Sequence, residues 1–411
     1  MLDPHFTSLL QHSRVRVEFG RRSFDKLGSL AVDEGATRVL LVTDPGIVRA
    51  GHARRALDLL REAGLEVTLF DGVCENPTTR EVDAGLHVAR ELNVDFLVGL
   101  GGGSSMDCAK GINFLLANGG RMEDYWGVGK ATRPMLPLIC VPTTAGTGSE
   151  AQSFALITDP VTHQKMACGD EKALPRGAIL EPSLLSTVPF AVAAATGIDA
   201  IAHAVETAGS RNRTAVSRQL SVAAWKLLAA AFEPSLALLN ANDPQIGKEP
   251  GNSETLRAWV RAAPESLAYF FSDKDPFAAM LLGAHLAGAA IEKSMLGAAH
   301  ACANPLTARC GITHGVAVGL MLPHVIRHNA ATGENPYSDL CSAECPDAES
   351  LAERITRFLL AARLPLRLRD LNVDPLALEE LARSAAEQWT AGFNPRPVTA
   401  ADLLEIYEPA F

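Results

Sequence analysis

The sequence predicts an α/β domain with a parallel sheet over residues 1–188, followed by an all-helical domain over residues 189–411. Two observations predict this class. In the first half, short apolar runs alternate with helix-length segments, which is typical of a parallel sheet with helices on both faces. After about Pro189, alanine and leucine recur at helical spacing and β-branched runs are scarce. We expect a binding cleft between the two domains.

Four apolar runs predict the strands of the N-terminal domain. Residues 38–43 (RVLLVT) have no polar face, which suits a strand buried on both sides, and the turn motif DPG follows them. Alternating apolar and charged side chains at residues 15–19 predict an exposed hairpin strand. The other predicted strands are residues 66–70, 95–100 and 137–141, and the predicted helices between them are residues 52–63 and 79–92.

The C-terminal half is predicted to consist of helices joined by polar loops. Its alanine- and leucine-rich segments favour helix because these residues lose little conformational freedom there. The predicted helices are residues 191–210, 216–239, 256–271, 276–308 and 376–389, and the predicted loops are residues 240–253 and 334–349. Residues 276–308 are predicted to form one continuous long helix.

Composition and charge exclude several classes of function. The chain has 411 residues, a formal net charge of −10 and no basic run, which argues against nucleic acid or anionic membrane surfaces as partners. The two longest uncharged stretches, residues 182–198 and 310–326, contain proline and are too short to span a bilayer. The eight cysteines lack close paired spacing, which is typical of a reducing compartment. We therefore expect a cytoplasmic protein that binds neither nucleic acid nor membrane.

A glycine-rich segment, residues 99–110 (GLGGGSSMDCAK), follows the third predicted strand. Its consecutive glycines, which include Gly102 and Gly103, allow a tight turn and a close approach of the backbone to a ligand. Ser104 and Ser105 then begin a helix whose free N–H groups would face an anion such as pyrophosphate. A plain strand-to-helix turn is the alternative, because the standard dinucleotide motif follows the first strand rather than the third.

A second polar loop, residues 142–150 (PTTAGTGSE), follows the next predicted strand. Its hydroxyls, including those of Thr143 and Thr144, can bind phosphate or ribose oxygens. Two such loops at the carboxyl ends of neighbouring strands are typical of nucleotide sites in doubly wound sheets. Asp44, after the first strand, can accept hydrogen bonds from an adenosine ribose and would repel a 2′-phosphate, which favours NAD over NADP. The alternative is that Asp44 is only a turn residue before Pro45.

Four side chains form a candidate metal site. Asp199 and His203 lie four residues apart in a predicted helix (GIDAIAHAVE), so both project from one face. His300 lies in GAAHACANP and His314 in GITHGVAV. One carboxylate and three neutral imidazoles suit Fe²⁺ or Zn²⁺ and leave a position for a substrate oxygen. Each histidine taken alone is more often a packed core residue than a ligand, and the cysteines nearby are typical of buried thiols.

Taken together, these motifs resemble those of the iron-dependent (type III) alcohol dehydrogenases. The resemblance rests on GGGSSMDCAK, PTTAGTGSE, GIDAIAHAVE and residues 297–329, and it extends to FDGVCENPT, GDEKALPRGAILEPSLLSTVP and FNPRPVT in order along the chain. It implies a Rossmann-like N-terminal domain, a helical C-terminal domain (the dehydroquinate synthase-like or iron alcohol dehydrogenase fold), a nicotinamide cofactor in the cleft and a homodimer. It also implies the metal ligands Asp199, His203, His300 and His314, and dinucleotide contacts from Asp44, Asn76, Gly102, Gly103, Ser104, Ser105, Thr143, Thr144 and Lys165.

Asn304 is a departure from the resemblance. Family members often carry a histidine one helical turn after the third ligand, close to the nicotinamide and substrate, and that position is Asn304 in this chain. Asparagine does not titrate near neutrality, so it cannot transfer a proton as histidine does. We expect Asn304 to take a catalytic role by hydrogen-bonding the substrate or a water molecule. The alternative is a helix-terminating residue before Pro305.

The expected function is metal-dependent alcohol dehydrogenase activity, with hydride transfer between NAD and a small alcohol or the matching aldehyde or ketone. The metal would act as a Lewis acid on the alcohol oxygen, and the cofactor would carry the redox chemistry. The alternative is a dehydroquinate synthase-like lyase or cyclase, which binds NAD and a metal with no net redox change. That activity needs several basic residues for a phosphorylated substrate, and Arg309 and Lys293 are the main cationic candidates.

Overall fold

The computed structural model describes residues 8–162, 164–242, 275–343 and 345–411. These residues form two compact units. One unit comprises Leu10–Val188, and the other comprises Pro189–Phe411 together with the described residues before Leu10. The predicted helix at residues 256–271 and most of the predicted loop at residues 240–253 lie outside the described residues.

The first unit is built on a six-stranded parallel sheet and a smaller three-stranded sheet. Its strands are β1 (Arg16–Phe19), β2 (Arg38–Val42), β3 (Glu66–Phe70), β4 (Phe96–Gly101), β5 (Gly127–Val128), β6 (Leu138–Pro142), β7 (Phe154–Thr158), β8 (Lys165–Gly169) and β9 (Gly177–Leu180). The strand order is β1–β9–β6–β4–β2–β3 in the parallel sheet and β5–β8–β7 in the smaller one. The predicted parallel sheet is therefore confirmed, whereas the smaller sheet gave no distinct sequence signal.

Helices cover both faces of the parallel sheet. The helices of this unit are α1 (Leu27–Asp33), α2 (Pro45–Arg49), α3 (His52–Glu62), α4 (Thr79–Glu91) and α5 (Gly103–Asn118). Alternate residues of β2 point to opposite faces: Val39 and Leu41 pack with α1 and α3, and Leu40 and Val42 pack with α4 and α5. This two-sided burial explains the continuous apolar runs from which the central strands were predicted.

The first strand differs from its prediction. Residues 15–19 were expected to form an exposed hairpin strand, but β1 pairs in parallel with β9, so that Arg16 lies beside Gly177 and Phe19 beside Leu180. Val15, just before the strand, is buried. A hairpin needs an adjacent antiparallel partner, whereas the partner of β1 is the last strand of the same unit. The alternation in sequence reflects a half-buried edge strand.

The second unit is helical in its described part. Its helices are α6 (Phe190–Gly209), α7 (Ala215–Asn242), α8 (Pro276–Ser294), α9 (Ala298–Cys310), α10 (His314–Ala330), α11 (Ala348–Ala361), α12 (Leu378–Ala386) and α13 (Ala400–Ala410). Residues 215–241 of α7 are long and apolar enough to cross a membrane by length and composition. However, 67% of the most apolar stretch is buried, and a buried core helix passes the same test of length and composition.

The predicted single helix at residues 276–308 is wrong: the segment forms two helices, α8 and α9. Helix α8 ends at Ser294, and Met295 follows in the left-handed region with a φ of +65°. The hydroxyl of Ser210 donates a hydrogen bond of 2.5 Å to the carbonyl oxygen of Ser294. A contact from a distant part of the chain thus satisfies a carbonyl at the end of α8 and overrides the alanine-rich helix propensity.

The start of α9 is held by two side chains from other elements. Ala298 N–H donates to Asn394 Oδ1 (3.2 Å), and Ala299 N–H donates to Glu206 Oε1 (2.7 Å). These acceptors satisfy N–H groups that have no partner within the first turn of a helix. As a result, His300 is the third residue of a new helix rather than a residue near the end of a long one.

Candidate functional site

The four predicted metal ligands converge around one carboxylate oxygen. Asp199 Oδ1 lies 3.5 Å from His203 Nε2, 3.4 Å from His300 Nε2 and 4.0 Å from His314 Nε2. Two donor atoms that share a metal at about 2.1 Å are separated by roughly 3–3.5 Å in tetrahedral or octahedral geometry. The two shortest distances fall in that range, and the third is slightly longer.

Three helices of the second unit bring these side chains together. Asp199 and His203 lie one turn apart on α6, His300 is in the first turn of α9, and His314 is the first residue of α10. The imidazole rings of His203 and His300 stack with centroids 4.9 Å apart, and His300 and His314 are 5.4 Å apart. The ligand atoms of Asp199, His203 and His300 all lie within 4.8 Å of one another, and His314 lies beside this group.

The burial and the donor atoms of these side chains fit a site for a divalent cation. Asp199, His203 and His300 are at most 4% exposed. Asp199 Oδ1 and His300 Nε2 are buried without a hydrogen-bond partner within the described part of the chain, although they face each other. Buried polar atoms of this kind are costly unless something pairs with them, and a cation bound by nitrogen and oxygen donors would satisfy both.

Electrostatics in the cluster favour a negatively charged Asp199 and a basic His300. Burial raises the pKa of Asp199, but the neighbouring histidines outweigh it and lower that pKa well below its usual value. Burial lowers the pKa of His300, but Glu206 and Asp199 outweigh it and raise that pKa to about 9. An imidazole in such an environment is a strong electron-pair donor once a metal displaces its proton.

Glu206 is a further residue of the cluster that was not among the predicted ligands. Its Oε2 lies 2.5 Å from His300 Nδ1, on the opposite side of the ring from Asp199. The sequence contains a weak signal, because Glu206 follows His203 by three residues and therefore shares its helix face. An acidic residue on an alanine-rich helix is too common for this spacing to identify it.

Asn304 lies inside α9, one turn after His300, and it is half-buried. The interpretation as a helix-terminating residue is wrong, because α9 continues through Pro305 to Cys310. The amide of Asn304 donates a hydrogen bond of 3.0 Å to Gln388 Oε1, and Gln388 donates in turn to the carbonyl oxygen of Ser384. Asn304 is thus held by α9 and by the segment that follows α12.

In the first unit, the glycine-rich segment joins β4 to α5. Gly102 is the N-cap of α5, and the helix begins at Gly103. A Cβ atom on Gly103 would lie 2.6 Å from Thr147 Cγ2, so the two polar loops approach each other too closely for any side chain at this position. Thr143, in the second loop, is buried and donates from its backbone N–H to the carbonyl oxygen of Gly101. Thr144 lies beside Gly102, where a Cβ atom would be 3.4 Å from Thr144 Oγ1, an ordinary contact distance.

The other predicted cofactor residues of this unit also come together. Ser104 Oγ accepts a hydrogen bond from the backbone N–H of Asn76 (3.3 Å), and Lys165 Nζ donates to Asn76 Oδ1 (3.0 Å). Ser105 Oγ donates to Asp44 Oδ2 (3.2 Å). Residues from four other segments, those of Asp44, Asn76, Thr143 and Lys165, therefore lie around the N-terminus of α5, where free N–H groups favour an anion.

Asp44 has a structural role in addition to any role in binding. It is the N-cap of α2, and its Oδ1 accepts hydrogen bonds from the backbone N–H groups of Gly46 (2.8 Å) and Ile47 (3.1 Å). Asp44 therefore does act as a turn residue before Pro45, as the alternative interpretation of the sequence predicts. The second oxygen, Oδ2, faces Ser105 in the glycine-rich segment.

A buried lysine connects α5 to the second polar loop. Lys110 is fully buried, and its Nζ donates hydrogen bonds to the carbonyl oxygen and the hydroxyl of Ser149 and to the carbonyl oxygen of Phe154, at 2.7–2.9 Å. Ser149 Oγ donates to Asp107 Oδ1 at 2.6 Å. Burial raises the pKa of Asp107, although Lys110 and Ser149 oppose the shift. This network, which no sequence spacing reveals, ties the two loops together.

Comparison with known proteins gives a consistent result for both halves of the chain. The family model for iron-containing alcohol dehydrogenase matches residues 15–182, and the model for the C-terminal region of the Fe-containing alcohol dehydrogenase family matches residues 261–411. Alcohol dehydrogenase 4 of Schizosaccharomyces pombe is 33% identical over 399 residues, which are 95% of this chain and 86% of that protein.

Two further proteins resemble the chain over nearly its whole length. The NAD-dependent methanol dehydrogenase of Bacillus methanolicus is 31% identical over 403 residues, which are 95% of this chain and 97% of that protein. The crystal structure of a 1,3-propanediol oxidoreductase superposes with a TM-score of 0.84 at 31% identity and covers 96% of this chain and 98% of that one.

Proposed function

Since this chain belongs to the iron-containing alcohol dehydrogenase family, we propose that it transfers hydride between NAD and a small primary or secondary alcohol, or the matching aldehyde or ketone. The observation that carries the proposal is the buried convergence of Asp199, His203 and His300, with His314 beside them. The names of the relatives support the class of substrate and the cofactor, since they include a methanol dehydrogenase that is NAD-dependent and a propanediol oxidoreductase.

We propose Fe²⁺ as the metal and Asp199, His203, His300 and His314 as its ligands. The family description supports iron, and the comparisons give zinc no support. When bound, a divalent metal supplies Lewis acidity that lowers the pKa of the alcohol oxygen. The chain contributes a rigid pair of donors one turn apart on α6 and a largely buried setting that limits access of water.

We propose that the first unit binds the dinucleotide and the second unit binds the metal and substrate. In the first unit, Gly102, Gly103, Ser104 and Ser105 place the N-terminus of α5 where it can bind the pyrophosphate. Asp44 Oδ2 is the proposed acceptor for a ribose hydroxyl. The remaining proposed contacts are Asn76, Thr143, Thr144 and Lys165, which border the same helix end.

We also propose that Asn304 touches the substrate. Its amide has two donors and one acceptor atom, and the contact with Gln388 uses one donor. The carbonyl oxygen and the second N–H can therefore hydrogen-bond a hydroxyl, a carbonyl or a water molecule. Because the group does not titrate, its contribution would be orientation rather than proton transfer.

The alternative of a lyase or cyclase without net redox change gains no support. Named relatives are alcohol and aldehyde oxidoreductases. Arg309, one of the two cationic candidates for a phosphorylated substrate, forms an ion pair with Glu380 in which both side chains are exposed. A surface ion pair of this kind does not point to a buried phosphate site.

The test is a screen of small alcohols and aldehydes by NADH absorbance. Metal-free protein is reconstituted anaerobically with Fe²⁺ or with Zn²⁺, and each form is assayed in both directions. We expect turnover with Fe²⁺ and loss of turnover in His300→Ala. His87→Ala is the matched control, because His87 is exposed on α4 and forms an ion pair with the similarly exposed Glu91. No NAD-linked turnover with any of these substrates would contradict the proposal.

Two further proposals concern the setting of the enzyme. We propose a cytoplasmic location, which is supported by eight cysteines that are all free in the described part of the chain.

We propose a homodimer on the family resemblance alone, and light scattering of the purified protein tests it. A monomer at micromolar concentration would contradict it.

A further inference from the structure

We propose that Glu206 is a positioning residue that fixes the His300 imidazole with Nε2 towards Asp199 and thereby strengthens metal binding. The inference rests on the proposed metal role of Asp199, His203 and His300. It adds a residue outside the four proposed ligands and a specific task for it: holding one ring nitrogen so that the other is presented to the metal.

Glu206 uses both carboxylate oxygens on the first turn of α9. Oε2 lies at hydrogen-bond distance (2.5 Å) from His300 Nδ1, and Oε1 accepts a hydrogen bond from the backbone N–H of Ala299 at 2.7 Å. Glu206 is only 3% exposed, so water does not compete for these oxygens. The two hydrogen bonds fix both the ring and the backbone that carries it.

The direction of the first hydrogen bond determines which nitrogen is available. In the proposed arrangement the proton of this contact lies on Nδ1, because a carboxylate oxygen accepts from a ring N–H. Nε2 then faces Asp199 Oδ1 at 3.4 Å, and it has no hydrogen-bond partner of its own among the described residues. With Nδ1 committed to Glu206, Nε2 is the nitrogen that can give its lone pair to a cation.

The placement of Glu206 follows from helix geometry. Asp199, His203 and Glu206 lie at positions i, i+4 and i+7 of α6, which is the spacing of one helix face. One rigid helix therefore presents two proposed ligands and the group that orients a third. This makes the relative position of the three side chains independent of any loop.

A competing explanation is that Glu206 only caps α9. Asn394 separates the two explanations, because its Oδ1 also accepts a hydrogen bond from an N–H of this helix end, that of Ala298. The other side-chain hydrogen bonds of Asn394 within the described residues go to Asn329 and Arg396 rather than to His300. If capping is the whole role, removing either acceptor should have the same effect on metal binding. If Glu206 orients the ring, only its removal should weaken metal binding.

The experiment measures metal affinity directly, without turnover. Metal-free wild type, Glu206→Gln, Glu206→Ala, Asn394→Ala and His300→Ala are titrated anaerobically with Co²⁺ as a spectroscopic probe and then with Fe²⁺ by competition. We expect the affinity of both Glu206 variants to fall about 10–100-fold. Glu206→Gln should show the smaller loss, since one amide oxygen can still accept from Nδ1. Asn394→Ala should stay within about threefold of wild type, because it touches no proposed ligand.

The outcomes separate the two proposals. Wild-type affinity in Glu206→Gln and Glu206→Ala, alongside a loss in His300→Ala, overturns the role of Glu206 and leaves the metal site standing. An equal loss in Asn394→Ala and Glu206→Ala also overturns it, because capping then accounts for the effect. Equal binding by wild type and His300→Ala overturns the metal site itself. If Glu206→Ala does not fold, the isosteric Glu206→Gln decides.

Discussion

The backbone of Gly315 lies directly against the carbonyl oxygen of Ala195: a Cβ atom on Gly315 would be only 2.0 Å from that oxygen. Gly315 is the second residue of α10, immediately after His314, and Ala195 precedes Asp199 by one turn of α6. Contact between the two backbones is what brings the His314 ring to within 4.0 Å of Asp199. Glycine is required here because no side chain fits.

Gly315→Ala is therefore expected to displace His314. The added methyl group cannot fit against α6, so α10 must move, at a cost of about 1–3 kcal/mol in the free energy of unfolding. Metal affinity should fall as well. Gly392→Ala is the control, since nothing lies within 4 Å of its Cβ position. Urea unfolding and metal titration check both effects, and a Gly315→Ala protein with wild-type values in both would contradict the close approach.

Asp44 variants are expected to separate cofactor choice from helix capping. Asp44→Asn keeps an acceptor for Gly46 and Ile47 but removes the charge, so the preference for NAD over NADP should narrow by about 1 kcal/mol or more with little change in stability. Asp44→Ala should narrow the preference too and also destabilise the protein by about 1 kcal/mol through loss of the cap. Ratios of kcat/KM and thermal unfolding measure the two effects. A wild-type preference for NADP would show that Asp44 does not select the ribose.

Asn304→Ala is expected to lower kcat/KM by the equivalent of about 1–3 kcal/mol, because a polar partner in the substrate is left unpaired. Metal content should not change. Gln388→Ala removes the hydrogen bond that holds Asn304 and should give a smaller loss in the same direction. Asn304→His should add an ionisation at about pH 6–7 to the rate profile. Full activity of Asn304→Ala on the preferred alcohol would make the residue purely structural.

Lys110→Met is expected to loosen the two polar loops. It removes a buried ammonium group, which leaves Asp107 without its cationic neighbour and three oxygens without their donor, and this should cost about 3–5 kcal/mol in the free energy of unfolding. Affinity for NAD should fall, because Ser149 then keeps only its hydrogen bond to Asp107 of α5. Lys130→Met is the control at an exposed lysine of the same unit. Chemical unfolding and NADH fluorescence titration measure the outcome, and unchanged values in both would refute the structural role.

The sequence was informative where burial follows a local pattern. The strand at residues 38–43 was predicted because two-sided burial leaves a continuous apolar run, and four of the five residues of β2 are buried. The pair Asp199 and His203 was predicted because both lie on one helix face. These features depend on residues that are close in sequence, and they match the structure within a residue or two.

The remaining features depend on residues that are far apart in sequence. The break after Ser294 is stabilised by Ser210, and the start of α9 is stabilised by Glu206 and Asn394. The local alanine-rich pattern therefore could not reveal that residues 276–308 form two helices. The same is true of Lys110, whose partners lie in the second loop. Local sequence patterns do not identify contact partners that are distant in the chain.

The pairing of β1 with β9 has a consequence for synthesis of the chain. Strands β2, β3, β4 and β6 can pair with one another as they leave the ribosome, but the neighbour of β1 in the sheet, as far as the chain is described, is β9 alone. The backbone groups of β1 therefore stay unpaired until β9, which ends at residue 180, has left the ribosome. Such distant pairing slows folding and leaves strand edges open in the meantime. A nascent chain that ends before Gly177 would expose the edges of both β1 and β6, and it would need protection from association until β9 arrives to join them.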